Sequence, residues 1–274
     1  MKKTILREYA DLIVHSGVNI QKGQEVLIYA GLDQPEFVQM VVEAAYKAKA
    51  KKVTVEWHYP ALDKLDVRYQ TVKTLGTVTA YQIEKQKHYC ETLPALIYLD
   101  SDDPDGLKGM NMEKSAKARQ MSYPILKPYV DAREGKQQWC IAAVPGAAWS
   151  KKVFPTLRVS QAVENLWQAI LFTSRVDGHA ALNWKVHNED LKARCAYLND
   201  LHIAKLHYKA ENGTDLTVGL IPEGIFAGGA EESKSGIWYN PNIPSEECFY
   251  LSHAGTGRGN RLFHQAPFLS GTAD

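Results

Sequence analysis

The sequence lacks any paired cysteine motif. Its four cysteines, Cys90, Cys140, Cys195 and Cys248, are scattered with no CxxC among them, which excludes a zinc ribbon and a thioredoxin-type redox motif. Cys140 lies in the apolar run WCIAAVP and Cys195 in a helical pattern, where a buried free thiol is the expected role. No apolar run approaches the roughly 18 residues that a membrane-spanning helix needs. The N-terminal MKKTILREYADL has two lysines but no signal core, because Arg7, Glu8 and Asp11 interrupt it. A cytoplasmic protein is therefore expected. Charge of one sign is also missing: 32 basic and 31 acidic residues leave a net charge of +1. That balance argues against nucleic acid or an anionic membrane as a partner.

Two chemical signatures are absent as well. There is no HExxH, and none of the nine histidines forms an HxH, HxxxH or HxD pair, so each reads as a surface or partly buried histidine rather than a ligand. The text after the first strand, YAGLDQPE, carries only Gly31, so no dinucleotide fingerprint follows it. SHAGTGRGN near the end is glycine-rich, but a phosphate loop needs a buried strand before it and a helix after it. Neither is present, and a nucleotide-binding enzyme loses its support.

What is present is an alternation of short strands and amphipathic helices. Ile5, Tyr9, Leu12 and Ile13 keep helical spacing, and GQEVLIYAG reads as a buried strand. Asp33 is expected to cap the following helix, QPEFVQMVVEAAYKAKA. Strands KKVTVEWHY, PALIYLDS and QQWCIAAVP follow, with helical text between them. This pattern predicts an α/β layer with a largely parallel sheet. GAAWSKKVFP reads as a connector, and SQAVENLWQAILFTSRVD as the helix closing a first domain, residues 1–178. After residue 180 the character changes. A helix over NEDLKARCAYLNDL precedes a hairpin signal around Asn212-Gly213. This opens an incomplete α+β domain over residues 179–250.

The stretch NPNIPSEECFY places adjacent carboxylates, Glu246 and Glu247, after a loop stiffened by Pro241 and Pro244. A carboxylate held in a fixed direction suits a divalent cation, but one carboxylate does not make a site. With these residues in view, the chain resembles the thermophilic-type metallo-aminopeptidases, the family of aminopeptidase T and aminopeptidase S. The likeness runs from about residue 5 to Phe249. It is carried by PGAAWSKKVFP, LWQAILFTSRVD, HNEDLKARCAYLN, GTDLTVGL and NPNIPSEECF, in that order.

The resemblance implies a dimeric cytoplasmic exopeptidase that removes N-terminal amino acids from peptides. It would use two divalent ions (zinc, cobalt, manganese or magnesium) held mostly by a C-terminal domain. Paired metals polarise a carbonyl and make hydroxide available near neutral pH. The last glutamate of the family's Pro-(Thr/Ser)-Glu-Glu motif is a metal ligand, which maps onto Glu247. Glu246 would then support it or serve structure only. The family's other ligands, and its catalytic residues, have no counterpart in this sequence.

The likeness breaks off after Phe249. Residues 251–274 contain no Lys, Glu, Ile, Val or Tyr, and we expect them to be an out-of-frame tail. Codons for residues 249–274 can be chosen so that deleting one T from an opening TTT TAC gives FTSPTRARAEGIVYSTKPLSYQGQL. That text is similar to the family throughout, and an Ile-Asp next in that frame, written ATT GAC, puts a stop after Asp274. Sequencing the gene around codon 249 checks this, and an unambiguous read without a family-like alternative frame would sink it. The sequence thus leads to a metal-dependent aminopeptidase impaired by missing ligands. The alternative is an inactive remnant or a non-enzymatic α/β binding domain.

Overall fold

The computed structural model describes residues 1–245 and 248–251. Contacts divide the chain into two units: residues 1–181 with 231–244, and residues 182–230 with those from 245 onward. The return of 231–244 to the first unit has no counterpart in a linear reading with one boundary at 178/179.

The first unit is built on five parallel strands. In chain order they are β1 (Glu25–Gly31), β2 (Lys52–His58), β3 (Ala95–Asp100), β4 (Trp139–Ala143) and the two-residue Asn242–Ile243, which is β10. Their order in the sheet is β10-β4-β3-β1-β2. β1 is central. Its Val26, Leu27, Ile28 and Ala30 are all buried, as befits a strand covered on both faces. β2 is an edge, and its Trp57 is about half exposed at 48%.

Helix α1 (Lys3–Leu12) runs into a π-helical turn at Ile13–Gly17, and α2 (Pro35–Lys47) follows β1. α3 (Pro60–Tyr69), α4 (Val72–Gly76) and α5 (Ala80–Thr92) connect β2 to β3, and α6 (Met112–Arg133) connects β3 to β4. α7 (Ala147–Val153) and α8 (Val159–Thr173) come after β4. Tyr9 of α1 stacks on Phe37 of α2 at 5.4 Å, and Trp167 of α8 meets Phe37 at 5.2 Å. This aromatic cluster joins three helices that the amphipathic spacing predicts separately.

Three local expectations are corrected. The connector GAAWSKKVFP contains α7. It is too short for an apolar period to show, yet alanines and lysines favour helix. Asp33 does not cap α2, whose first residue is preceded by Gln34 with no side-chain cap. Its carboxylate instead accepts the Ala147 N–H at 3.0 Å, so it serves the unpartnered donors at the start of α7. Finally, α9 (Ala180–Asp200) begins well before NEDLKARCAYLNDL. Its start is fixed from outside the helix: both Glu8 oxygens accept the Gly178 N–H at 2.8–3.1 Å, and one accepts the Ala180 N–H at 2.7 Å. A carboxylate at this end also complements the helix dipole.

The return segment is pinned by backbone. β8 (Glu231–Glu232) pairs with β9 (Trp238–Tyr239). Lys234 N–H donates to the Gly135 carbonyl at 2.7 Å, and Asn240 N–H to the Ser16 and Gly17 carbonyls at 3.0 and 2.8 Å. β10 then lies parallel to β4, with Asn242 opposite Ile141 and Ile243 opposite Ala142.

The second unit contains most of α9 and two antiparallel pairs. β5 (Lys205–Lys209) pairs with β6 (Asp215–Gly219) through the turn expected at Asn212-Gly213. Gly213 has φ +91° there, a conformation that costs glycine little. β5 and β6 pair only with each other among the described residues, and both strands are largely exposed. β7 (Ile225–Ala227) pairs with β11 (Phe249–Leu251). Asn199 of α9 holds Phe226 by both backbone groups, at 2.7 and 3.0 Å.

Candidate metal centre

The described residues on either side of the carboxylate pair are each held within their own unit. Glu246 and Glu247 themselves lie outside the described residues. On the amino side, Asn240 and Ile243 are buried at 4% and 2% exposure. The Pro241 carbonyl accepts the Ile141 N–H at 2.8 Å, which continues the parallel ladder.

Within the second unit, α9 presents one buried stripe made of Trp184, His187, Leu191 and Cys195. Spacings of three and four residues keep these on one helical face. His187 Nε2 donates to the Ser245 carbonyl, and the Trp184 ring meets the imidazole edge-on at 5.6 Å. On the carboxyl side, Cys248 Sγ stands 3.3 Å from Cys195 Sγ and 3.9 Å from the Leu191 carbonyl. Burial pushes the Cys195 thiol up to about 12, with the hydrogen bond to Cys248 acting in the same direction. The residues on either side of Glu246-Glu247 are thus held by a single helical face. His187 is buried, and its role in holding Ser245 has no signature in local spacing.

The other cluster of charge sits at the carboxyl ends of the parallel strands. In an open α/β sheet this edge is where ligands commonly bind, at the point where strand order reverses. Here that point falls between β1 and β3, and it is filled. Ser101 Oγ donates to Asp33 at 3.1 Å, and Gln34 Nε2 donates to the Pro145 carbonyl at 3.0 Å. A side chain on Gly146 would stand 2.2 Å from the Ser101 carbonyl oxygen.

Beside it, exposed His58 pairs with Asp63 at 2.6 Å and lies 3.7 Å from Asp102. The Asp102 carboxyl is raised above the ordinary range by burial first and then by Asp100, with Asp63 and Asp33 adding and His58 opposing. A carboxyl raised on folding favours the protonated form, so its ionisation costs stability above that range and nothing well below it. Because the Asp102 side chain is 64% exposed, solvent screens most of this cost, and Asp102→Asn is expected to raise the urea midpoint at pH 7 only slightly. The gain should fade toward pH 3, and paired denaturation curves at the two pH values check it.

Among the described residues, no group of three or more His, Cys, Asp and Glu is arranged to hold a metal ion. Among them also, no helix is long and apolar enough to cross a membrane.

Comparison with known proteins places the chain. The family model for thermophilic metalloprotease (M29) matches residues 2–273. Aminopeptidase AmpS of Bacillus subtilis (strain 168) is 33% identical over 248 residues, covering 90% of this chain and 60% of that protein. Aminopeptidase T of Thermus thermophilus is 32% identical over 253 residues, covering 92% and 62%. The solved structure of wild-type AmpT from Thermus thermophilus superposes with a TM-score of 0.80 at 33% identity. That superposition covers 91% of this chain and 62% of the solved one. The chain spans about 60% of the length of the curated relatives it matches. By the match of the family model along nearly all of its residues, the chain belongs to the thermophilic metalloprotease (M29) family.

Proposed function

We propose that the chain is a metal-dependent aminopeptidase by descent, directed at the N-terminal residue of peptides, with Glu247 as a metal ligand and Glu246 supporting it. The observation that carries this reading is that Ser245 and Cys248, the described residues on either side of the carboxylate pair, both meet one face of α9, through His187 and Cys195. Family membership supports the same chemistry.

The described residues do not by themselves fit a metal set, because no suitable group of donors exists among them. A single carboxylate from Glu247 supplies too few donors for two divalent ions. Turnover by these 274 residues alone is proposed to be low. The second reading is a catalytically inactive remnant or a non-enzymatic α/β binding domain. A homodimer in the cytoplasm remains the assembly proposed from the family.

Release of p-nitroaniline from leucine and arginine p-nitroanilides by the purified 274-residue chain separates the two readings. Weak release is expected that stops with a chelator and returns with zinc, cobalt, manganese or magnesium. It should fall at least ~10-fold in Glu247→Gln, the scale seen when even an outer partner of a metal ligand is lost. Release indifferent to chelation and to that substitution overturns Glu247 as a ligand. No release under any metal leaves the remnant reading.

A further inference from the structure

The second unit contains a thiol pair that the aminopeptidase reading does not use. Cys195 Sγ on α9 and Cys248 Sγ, just beyond Glu247, are 3.3 Å apart and unbonded. The remaining two thiols sit against carbonyls instead: Cys90 on Tyr129 at 3.4 Å and Cys140 on Ile141 at 3.7 Å. The members of the pair differ in access. Cys195 is 8% exposed, whereas Cys248 is partly exposed.

Both thiols are carried by held backbone. Cys195 belongs to the buried stripe of α9, and Phe249–Leu251, directly after Cys248, is paired to β7. Ser245, three residues before Cys248, is held by His187. The sulfurs therefore have little freedom to drift apart. Closing to a bond of about 2.05 Å takes a shift of about an ångström between side chains already facing each other.

We propose that Cys195 and Cys248 form a reversible redox site that takes a low-molecular-weight disulfide as its oxidant. The partly exposed Cys248 sulfur attacks the disulfide, forming a mixed disulfide and releasing one thiol. Cys195 sulfur then attacks the Cys248 sulfur and expels the second thiol. Two protein thiols are oxidised to one disulfide, one small-molecule disulfide is reduced to two thiols, and the thiol protons end on the products. An accessible entering thiol beside a resolving partner is an arrangement that suits such exchange. The bond would tie the carboxyl side of the Glu246-Glu247 segment to α9. It does not depend on whether Glu247 holds a metal.

The test uses the unmodified 274-residue chain. It is incubated without reductant in excess glutathione disulfide, quenched in acid, alkylated and digested with trypsin for mass spectrometry. Loss of two of the four thiols is expected, with tryptic peptides 195–205 and 235–258 recovered as a cross-linked pair. Cys90 and Cys140 should remain alkylated, and dithiothreitol should restore all thiols. In Cys195→Ser, Cys248 should retain glutathione. The proposal is overturned if the unmodified chain holds glutathione on Cys248 while Cys195 is alkylated. It is equally overturned if Cys248 pairs as readily with Cys90 or Cys140, or if the same pair forms as fast in guanidinium, where no fold aligns the sulfurs.

Discussion

Gly146→Ala is expected to destabilise the parallel-sheet unit by about 3 kcal/mol, at the upper end of overpacking costs. The built Cβ stands 2.2 Å from the Ser101 carbonyl oxygen and 3.2 Å from its carbon. These are backbone atoms at the end of β3, so no rotamer change relieves the clash. The strand end and the start of α7 must separate. Parting them also strains the two bonds made by Asp33, to Ala147 N–H at 3.0 Å and from Ser101 Oγ at 3.1 Å. Gly146 has an extended backbone at φ −76°, so contact rather than a left-handed conformation makes glycine necessary. For a unit of this size the melting temperature should drop by roughly 6–12 °C. Gly219→Ala is the control: nothing stands within 4 Å of a side chain there, and its melting temperature should barely move. Thermal unfolding followed by circular dichroism reads both.

Phe37→Ala is expected to cost about 4 kcal/mol, within the range for truncating a buried aromatic ring. Phe37 is 1% exposed. It meets both other rings of the aromatic cluster, stacked on Tyr9 with planes 23° apart and tilted 65° to Trp167. Deleting the ring removes its buried area and leaves a cavity between α1, α2 and α8 that three helices cannot close without repacking. Phe37→Leu keeps most of the volume and should cost under about 1.5 kcal/mol. Urea denaturation midpoints at constant slope measure both changes. An alanine variant as stable as the leucine variant would remove Phe37 from the core of this unit.

The parts of the fold that were legible share one property: a period. β1 and β3 showed as short apolar runs between turn residues, and α1, α2 and α8 as apolar stripes at helical spacing. Asn212-Gly213 announced its hairpin because only a few residue types accept the left-handed turn conformation found at Gly213. α7 stayed hidden because seven residues are too few for a period and its cap comes from Asp33, far away in the chain. The carboxylate pair was visible as a candidate, since Pro241, Pro244, Glu246 and Glu247 are adjacent in the sequence. Nothing nearby indicated that α9 holds its flanks.

The sequence by itself determined the class of the first unit, the alternation of strands and helices and the resemblance to a metallo-aminopeptidase family. Each of these is written in local periodicity or in ordered matching segments. Only the tertiary structure decided that Asn242–Ile243 completes the parallel sheet beside β4, that Asp33 serves α7, and that Cys195 faces Cys248. The physical reason is the same in each case. Such pairings join residues far apart in the chain, where the entropy of closing the loop is offset by contacts that no short window contains.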